Sequence, residues 1–216
     1  MVQDRAAERD FVLRSAQEND VKFIRLWFTD ILGNLKGFAI MVEDLQDAIE
    51  QGVGFDGASI EGFARINESD MRAFPDPTTF TLLPWRPRQN AVARMFCDIR
   101  MPSGEPFAGD PRFVLKRNLE RLAGMRYTYY VGPELEFFFL KDSADPVPLD
   151  NGGYFDQLSS QPASDIRRDT VLNLSDMGIP VKYSHHEAAH SQHEIDLQYT
   201  DALTMADSVM TAKLVI

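Results

Sequence analysis

The stretch from Tyr130 to Leu140 is an apolar, strand-like run that contains two carboxylates, Glu134 and Glu136. Side chains of a β-strand alternate between its faces, so these two side chains point the same way. Two ionised carboxylates about 6.6 Å apart repel each other by roughly 2.5 kcal/mol at an effective dielectric of about 20, before any cost of burial. The pair therefore predicts a hard cation, Mg²⁺ or Mn²⁺, between the side chains; the alternative is a solvated edge strand.

A second segment gathers the other candidate ligands. All four histidines lie between His185 and His193, together with Glu187 and Glu194 nearby. Such clustering is unusual for a solvated loop and is expected for a metal site with the side chains that orient its ligands. We expect the two glutamates to lie at the two ends of a loop between strands and to meet the face of the first pair. Four carboxylates with few neutral ligands suit paired Mg²⁺ or Mn²⁺ ions and phosphoryl transfer better than zinc.

The same segment also matches H-E-x-x-H, from His186 to His190. On a helix this pattern places two histidines on one face for Zn²⁺, with Glu187 as general base. The flanking residues alternate as in strands, and Pro180 stands just upstream, so the helix that a zinc peptidase requires is not indicated. The zinc peptidase is an alternative that depends on that helix.

Composition narrows the function classes. The 216 residues carry a net charge of -11, with 22 Lys and Arg against 33 Asp and Glu, which argues against binding to nucleic acid or to an anionic membrane surface. The only cysteine, Cys97, cannot form an internal disulfide and fits a reducing compartment. No apolar run approaches the roughly 20 residues of a membrane span, and the charged N-terminus does not resemble a signal peptide, so we expect a cytoplasmic protein.

The N-terminal part reads as a small β-rich unit. Glycine and proline cluster between residues 103 and 110, where we place a domain boundary. The predicted elements are a helix over about 4–19, strands over 21–28 and 35–41, a helix over 43–51, and strands over 78–83 and 91–99. The glycine-rich segment 52–59 is predicted as a loop, in which Asp56-Gly57 is an ordinary turn signal.

The remainder alternates helices and strands. Asp110-Pro111 predicts a helix start, because Asp is a good N-cap and Pro suits the first helical position. The predicted elements are a helix over 112–123, strands over 127–140, 181–186 and 192–199, and helices over 164–177 and from 201 onward. The last helix carries an apolar stripe and reaches Ile216 without a Gly or Pro stop signal, so we expect the chain to be cut off inside it.

With these residues in view, the chain resembles glutamine synthetases of the bacterial and archaeal class I type. The resemblance runs from about Val21 to the end, and several blocks in one order make it specific. The blocks are Phe55-Asp56-Gly57-Ala58-Ser59-Ile60-Glu61-Gly62-Phe63, Glu68-Ser69-Asp70-Met71, Pro75-Asp76, Cys97-Asp98-Ile99, Gly132-Pro133-Glu134-Leu135-Glu136-Phe137-Phe138, Tyr154-Phe155-Asp156, Arg167-Arg168-Asp169, His185-His186-Glu187 and Gln192-His193-Glu194.

The resemblance implies an α+β fold, with a small β-grasp N-terminal domain over 1–108 and an incomplete catalytic domain over 109–216. It implies a dodecamer of two stacked hexameric rings with active sites between adjacent subunits. The implied reaction, part of nitrogen assimilation, is ATP-dependent joining of ammonia to glutamate through γ-glutamyl phosphate. The implied substrates are glutamate, ammonia and ATP, and the implied cofactors are two or more Mg²⁺ or Mn²⁺ ions per site.

Individual roles follow from motif position within this resemblance. Glu136, Glu187 and Glu194 would hold the metal nearer glutamate, and Glu134 the metal nearer the ATP phosphates. Asp56 matches the catalytic aspartate that binds and deprotonates ammonium in the neighbouring subunit's site. The implied nucleotide-binding residues are Lys182, His185, Leu197 and Tyr199, with Tyr199 packed on adenine and His185 near the transferred phosphate.

The chain also departs from the family pattern. Lys182 stands where the family usually has a nucleotide-contacting Glu, and His190-Ser191 replace a loop that is typically Pro-Gly. The family's Asn-Gly-Ser-Gly-x-His segment, its remaining metal ligands, its substrate-binding arginines and its flap glutamate are expected downstream of Ile216. We therefore expect these 216 residues alone not to make glutamine. A truncated paralogue that co-assembles with a full-length synthetase, or regulates it, is the alternative function.

Overall fold

The computed structural model of the chain describes residues 2–60, 70–157 and 161–216. Parts of two of the blocks above, Glu61-Gly62-Phe63 and Glu68-Ser69, lie outside the described residues. The chain forms two compact units, Met1–Tyr127 and Thr128–Ile216. The family-based boundary between residues 108 and 109 stays a prediction.

The first unit is built on one mixed sheet. Its elements are α1 (Val2–Glu18), β1 (Val21–Thr29), β2 (Leu35–Met41), α2 (Leu45–Gln51), β3 (Val53–Asp56), β4 (Asp70–Pro75), β5 (Thr81–Leu82), β6 (Ala91–Arg100) and α3 (Pro111–Gly124). The strands lie in the order β2-β1-β6-β4-β3, with β5 also paired to β6. Strands β1 and β6 are parallel, and every other described pairing in this sheet is antiparallel.

The core of this unit follows from strand alternation and from one helix face. The central strands bury Ile24, Leu26 and Met95 completely. Helix α1 adds Val12 and Ala16, which are four residues apart and therefore share one face of the helix. The helix and hairpin predictions for this region are confirmed.

Two predictions in the first unit are wrong. The glycine-rich segment predicted as a loop contains β3, an edge strand that pairs with β4 from Val53↔Ala73 to Asp56↔Asp70. Glycine lowers local strand preference, but Val53 and Phe55 pack against the core, and that tertiary contact decides the conformation. The strand predicted over 78–83 is a 3₁₀ turn, Pro77–Thr79, followed by the short β5. The Asp76 side chain caps that turn, accepting from the Thr78 N–H.

The predicted helix start at Asp110 is confirmed. One carboxylate oxygen of Asp110 accepts from the Arg112 N–H at 3.0 Å, and the other accepts from the Ile99 N–H at 3.0 Å. Arg112 then bridges Asp76 at 2.8 Å and Asp98 at 2.6 Å. These buried contacts attach the first turn of α3 to β6.

The second unit consists of two small sheets and two helices. Its elements are β7 (Tyr130–Val131), β8 (Glu134–Phe138), α4 (Gln161–Asp176), β9 (Val181–His186), β10 (Gln192–Leu197), β11 (Thr200–Asp201) and α5 (Ala202–Val215). One sheet has the order β8-β10-β9, and β11 pairs with β7 in the other. Asp201 caps α5 by accepting from the Thr204 N–H at 3.0 Å.

The single strand predicted over 127–140 is wrong, because it is interrupted at Gly132-Pro133 and its two parts join different sheets. Proline lacks the N–H that a continuous ladder would use. A Cβ on Gly132 would lie 3.3 Å from the Cβ of Tyr199, so glycine permits the chains to pass closely at this point. The strand predicted over 192–199 likewise ends at Leu197 and resumes as β11.

None of the helices in the described ranges combines the length and the apolar character needed to cross a bilayer.

Candidate metal centre

The register of the three-stranded sheet brings the candidate ligands together. Glu194 on β10 lies opposite Glu136 on β8 and opposite His185 on β9. Asp196, two residues further along β10, lies opposite Glu134. Because alternate strand residues share a face, all five residues belong to one face of the sheet, which we call the acidic face.

The first donor group on the acidic face consists of His185, Glu187 and Glu194. One potential ligand atom from each lies within 4.8 Å of the others. His185 Nε2 is 3.1 Å from Glu187 Oε1 and 3.4 Å from Glu194 Oε2. Glu187 follows directly on β9 and Glu194 lies in β10, so the prediction that these two glutamates flank a loop between strands is confirmed.

The second donor group consists of Glu134, Glu194 and Asp196, whose ligand atoms also lie within 4.8 Å of one another. Glu194 belongs to both groups. Glu134 is exposed, whereas Glu194 and Asp196 are only 6% and 4% exposed. Sequence reasoning missed Asp196, although Glu194-x-Asp196 repeats the alternation of Glu134-x-Glu136 and carries the same signal.

Burial and negative neighbours make this face difficult to ionise fully. Burial raises the pKa of Glu194 to about 7, and the nearby charges of Asp196, Glu187 and Glu134 act in the same direction. The Ala188 N–H, which donates to Glu187 at 2.7 Å, lowers the pKa of Glu187. Near neutral pH the face therefore retains a proton at Glu194 unless a cation replaces it.

The donor set fits a hard divalent cation. It offers several carboxylate oxygens and one imidazole, a set typical of Mg²⁺ or Mn²⁺ rather than of structural zinc. Among the described residues, two buried polar atoms of this face, Asp196 Oδ2 and His185 Nδ1, have no hydrogen-bond partner. A buried acceptor without a donor is costly, and a cation on this face would remove that cost at Asp196.

Glu136 lies on the acidic face but is held differently from the other predicted ligands. Its Oε2 accepts from the Gln192 side-chain amide at 2.6 Å. It lies outside both close donor groups found among the described residues. Glu136 is exposed, so its side chain is free to turn toward an ion next to Glu194.

The helix required for a zinc peptidase is absent, and that alternative is wrong. His186 is the last residue of β9, and residues 187–191 form the connection to β10 instead of a helix. His190 is exposed in that connection, while His186 is buried on the other face of the sheet. The two histidines of the H-E-x-x-H pattern, His186 and His190, therefore do not lie side by side as they would on one face of a helix.

The face of the sheet opposite the acidic face carries a buried polar cluster of Asp150, His186 and His193. His186 Nε2 lies 2.8 Å from Asp150 Oδ1, and His186 Nδ1 lies 2.7 Å from the carbonyl oxygen of Glu187. Both partners are hydrogen-bond acceptors, so a hydrogen on either ring nitrogen of His186 has an acceptor within reach.

Arg167 decides the state of the other histidine in this cluster. It donates to His193 Nδ1, and an arginine can only donate, so His193 carries its hydrogen on Nε2. That nitrogen lies 3.5 Å from Asp150 Oδ2. Burial lowers the pKa of His193 to about 4, which keeps the ring neutral. A protonated Nε2 cannot bind a metal, so we assign this cluster a hydrogen-bonding role rather than a second metal site.

Ser191 ties the same cluster to the connection between β9 and β10. Its N–H donates to Asp150 Oδ1 at 3.2 Å, and the Asp150 N–H donates to Ser191 Oγ at 2.6 Å. Ser191 has a φ of +58°, in the region that glycine adopts most easily. Sequence reasoning gave no role to Asp150, which no local pattern marks, or to Arg167, which lies in one of the blocks of the family resemblance.

The predicted nucleotide-binding residues differ in their exposure and in their contacts. His185 joins the first donor group and packs against the ring of Phe155 at 4.8 Å between centroids. Tyr199 is 69% exposed and meets Tyr130 edge-on at 6.1 Å. Lys182 is exposed, with its Nζ 4.9 Å from the centre of the Tyr183 ring, whereas the Leu197 side chain is buried.

Asp56 belongs to the first compact unit, at the end of β3. Its Oδ1 accepts from the Ala58 N–H at 2.9 Å, which caps the short 3₁₀ turn Gly57–Ser59. The residue is exposed. The turn predicted at Asp56-Gly57 is therefore confirmed.

Comparison with known families assigns both parts of the chain. Residues 20–102 match the family model for the glutamine synthetase β-grasp domain. Residues 108–216 match the family model for the glutamine synthetase catalytic domain. These matches agree with the α+β architecture of the two units.

Similar proteins cover nearly the whole chain. The curated glutamine synthetase of Mycolicibacterium smegmatis is 53% identical over 210 residues, which are 94% of this chain and 47% of that protein. The glutamine synthetase of Methanosarcina mazei is 50% identical over 212 residues, which are 96% of this chain and 47% of that protein. The chain thus spans about half the length of the curated relatives it matches.

Solved structures agree with the sequence comparisons. A structure described as a GmaS/ADP complex has a TM-score of 0.85 at 29% identity, covering 94% of this chain and 47% of that one. The glutamine synthetase of Plasmodium falciparum has a TM-score of 0.82 at 24% identity, covers 98% of this chain and 47% of that one, and shares the fold. Because the two family models together span residues 20–102 and 108–216, this chain belongs to the glutamine synthetase family.

Proposed function

We propose that a protein containing this chain joins ammonia to glutamate, with ATP consumed, through a γ-glutamyl phosphate intermediate. Family membership supports the reaction class. The observation that carries the proposal is that Glu194 is shared by two donor groups on the acidic face. Two neighbouring cation positions are the arrangement that phosphoryl transfer between two negatively charged substrates requires.

The acidic face supports an assignment of metal ligands. Glu136, Glu187 and Glu194 would hold the ion nearer glutamate, and Glu134 would hold the ion nearer the ATP phosphates. Bound Mg²⁺ or Mn²⁺ supplies charge neutralisation on the phosphates and on the carboxylate that accepts the phosphoryl group. Burial of Glu194 supports this role, because restricted access of water strengthens every electrostatic contact there.

The remaining roles involve the chain's other candidate residues. We assign Asp56 to binding ammonium and accepting its proton, which fits an exposed carboxylate at a strand end. Tyr199 would pack on adenine, because its ring is largely exposed beside Tyr130. Lys182 and His185 would lie toward the phosphates. The structure described as a GmaS/ADP complex supports an adenine nucleotide as the substrate.

Assembly and domain organisation are part of the proposal. We assign glutamate, ammonia and ATP as substrates and a dodecamer of two hexameric rings as the working assembly, both on the basis of family membership. We keep the domain boundary between residues 108 and 109. It lies within one residue of the start of the second family match, which begins at 108, and follows a first match that ends at 102.

The test is to purify the protein in the assembly that it forms in its own cells, and to measure glutamine and ADP formed from glutamate, ammonium and ATP with Mg²⁺ or Mn²⁺. We expect equal amounts of the two products. Glu187→Ala should reduce the rate by about 100-fold or more, because one element that stabilises developing charge is lost. Absence of both products from metal-loaded protein would contradict the proposal.

A further inference from the structure

Asp196 is a buried carboxylate that the four assigned metal ligands do not include. It is 4% exposed, and within the described ranges its Oδ2 has no hydrogen-bond partner. Taking an ionised carboxylate out of water without a donor or a cation costs several kcal/mol. A fold that keeps such a group inside a sheet face needs a compensating interaction, and none of the side chains in residues 2–60, 70–157 and 161–216 supplies it to Asp196 Oδ2.

The residues around Asp196 increase the need for a compensating interaction with its carboxylate. Its carboxylate lies with those of Glu134 and Glu194, with ligand atoms within 4.8 Å of one another. Among the described residues, no lysine or arginine forms an ion pair with any of the three, and the only ion-pair partner of Glu194 is His185. His185 lies in the other donor group, so the side of Glu194 that faces Asp196 lacks a positive neighbour.

We propose that Asp196 is a ligand of a divalent cation held by Glu134, Glu194 and Asp196, beside the ion assigned to Glu136, Glu187 and Glu194. This inference rests on the proposed function, since it adds a ligand to the same centre. Glu194 would bridge the two ions, as carboxylates do in paired-metal sites. The three described donors of this second position are all carboxylates, which favours a hard cation such as Mg²⁺ or Mn²⁺.

The burial of the three donors indicates how the position is used. Glu194 and Asp196 are buried, so they would contact the cation from the protein interior. Glu134 is exposed, so the cation would remain open toward solvent on that side. An open side leaves coordination positions for phosphate oxygens, the usual arrangement for a nucleotide-bound Mg²⁺. Asp196 would therefore set the affinity of the ion on which ATP docks.

The test is a Mn²⁺ titration of the purified chain by calorimetry and electron paramagnetic resonance, with wild type compared to Asp196→Asn. The substitution keeps the size of the side chain and removes its charge. We expect one of two classes of bound Mn²⁺ to weaken by about tenfold or more. Glu134→Gln, at the exposed ligand of the same group, should weaken the same class, and Glu187→Gln should weaken the other class. Asp176→Asn, the same substitution at an exposed position of α4, should change neither.

A second readout separates a ligand from a structural residue. In EDTA, Asp196→Asn should melt at the same temperature as wild type or higher, because it removes repulsion from Glu194 and Glu134. The rise in melting temperature on adding Mn²⁺ should be smaller than in wild type. A residue that only supports the fold would show the reverse, with a lower melting temperature in EDTA and an unchanged Mn²⁺ titration.

The outcomes that contradict the inference are distinct from those that contradict the proposed function. Wild-type protein that binds no Mn²⁺ or Mg²⁺ would overturn both. Wild type that binds Mn²⁺, with a titration of Asp196→Asn equal to wild type and a weakened class in Glu134→Gln, would overturn the role of Asp196 and leave the rest of the centre intact. If Asp196→Asn does not fold, Asp196→Ser, which also removes the charge but leaves a smaller side chain, takes its place, and a Mn²⁺ titration equal to wild type would overturn the role of Asp196.

Discussion

Glu194 and Glu136 lie directly opposite each other on antiparallel strands, one buried and one exposed. Side chains in such a pair have Cβ atoms only about 4.5–5.5 Å apart, and like charges placed there are destabilising. Gln192 holds the Glu136 carboxylate from one side, but it neutralises no charge. We therefore interpret the pair as part of a cation site, because two facing carboxylates without a cation would destabilise the fold.

Removing either of two proposed ligands should weaken Mn²⁺ binding. Glu136→Ala and Glu187→Ala each delete a charged donor next to Glu194, and we expect the affinity to fall by about tenfold or more in each variant. Isothermal titration of the purified variants with Mn²⁺ measures the effect. Glu120→Ala, at an exposed position of α3, is the matched control and should titrate like wild type. Unchanged titrations in both site variants would refute the assignment.

The variant Asp56→Ala should show whether Asp56 acts in catalysis or only stabilises the turn. The side chain caps a 3₁₀ turn through the Ala58 N–H, a contact worth roughly 1 kcal/mol. We expect the variant to fold with a slightly lower melting temperature and to keep Mn²⁺ and ATP binding, while the ammonium-dependent step slows strongly. Rates measured against ammonium concentration test this in the assembled protein. Loss of folding, with no separate defect toward ammonium, would indicate that Asp56 is only a turn residue.

Substitutions at Ser191 should distinguish its hydroxyl from its backbone conformation. Ser191→Ala removes Oγ and leaves the buried Asp150 N–H without an acceptor, which we expect to lower the free energy of unfolding by about 1–3 kcal/mol. Ser191→Gly loses the same contact but accommodates the φ of +58° without steric cost, so it should be more stable than the Ala variant, by up to about 1 kcal/mol.

Urea unfolding of the two Ser191 variants and of wild type measures this order. Ser208→Ala is a suitable control, because it removes another buried hydroxyl whose bond is made only to the Thr204 carbonyl within α5. The control should lose less stability, since the Thr204 carbonyl that loses the hydroxyl lies within the helix itself. A Gly variant less stable than the Ala variant would show that the positive φ is not strained.

The stability of the first unit should depend on pH through Asp110. Burial raises the pKa of Asp110 from 3.8 to about 6. The folded state therefore holds its proton up to a higher pH than the unfolded state, so stability is full below pH 4 and decreases as pH rises to about 6. A pKa raised from 3.8 to about 6 corresponds to roughly 3 kcal/mol of stability.

Asp110→Asn provides the comparison for that pH dependence, because the side chain stays neutral at every pH. The free energy of unfolding of wild type should fall relative to the variant between pH 4 and pH 6, and the difference should be constant above about pH 7. A difference that does not change with pH would mean that Asp110 ionises normally in the folded protein.

Local patterns in the sequence determined much of the fold. The alternation of Glu134 and Glu136, the Asp110-Pro111 helix start and the hairpin of β1 and β2 depend on neighbours a few residues away, and each is confirmed. The acidic face was also predictable in outline, because clustered histidines and glutamates need a common partner. Asp196 carried the same alternation signal and was missed.

Tertiary structure decided the rest, because strand register and close packing join residues that are far apart in the chain. Asp150 meets Ser191 across 41 positions, and Arg167 meets His193 across 26, and no local pattern indicates either pairing. Pairing with β4 made a strand of the glycine-rich β3, and Gly132-Pro133 divided one apolar run between two sheets. Periodicity sets which side a residue faces, but only the pairing of β10 with both β8 and β9 places Glu194 within reach of two donor groups at once.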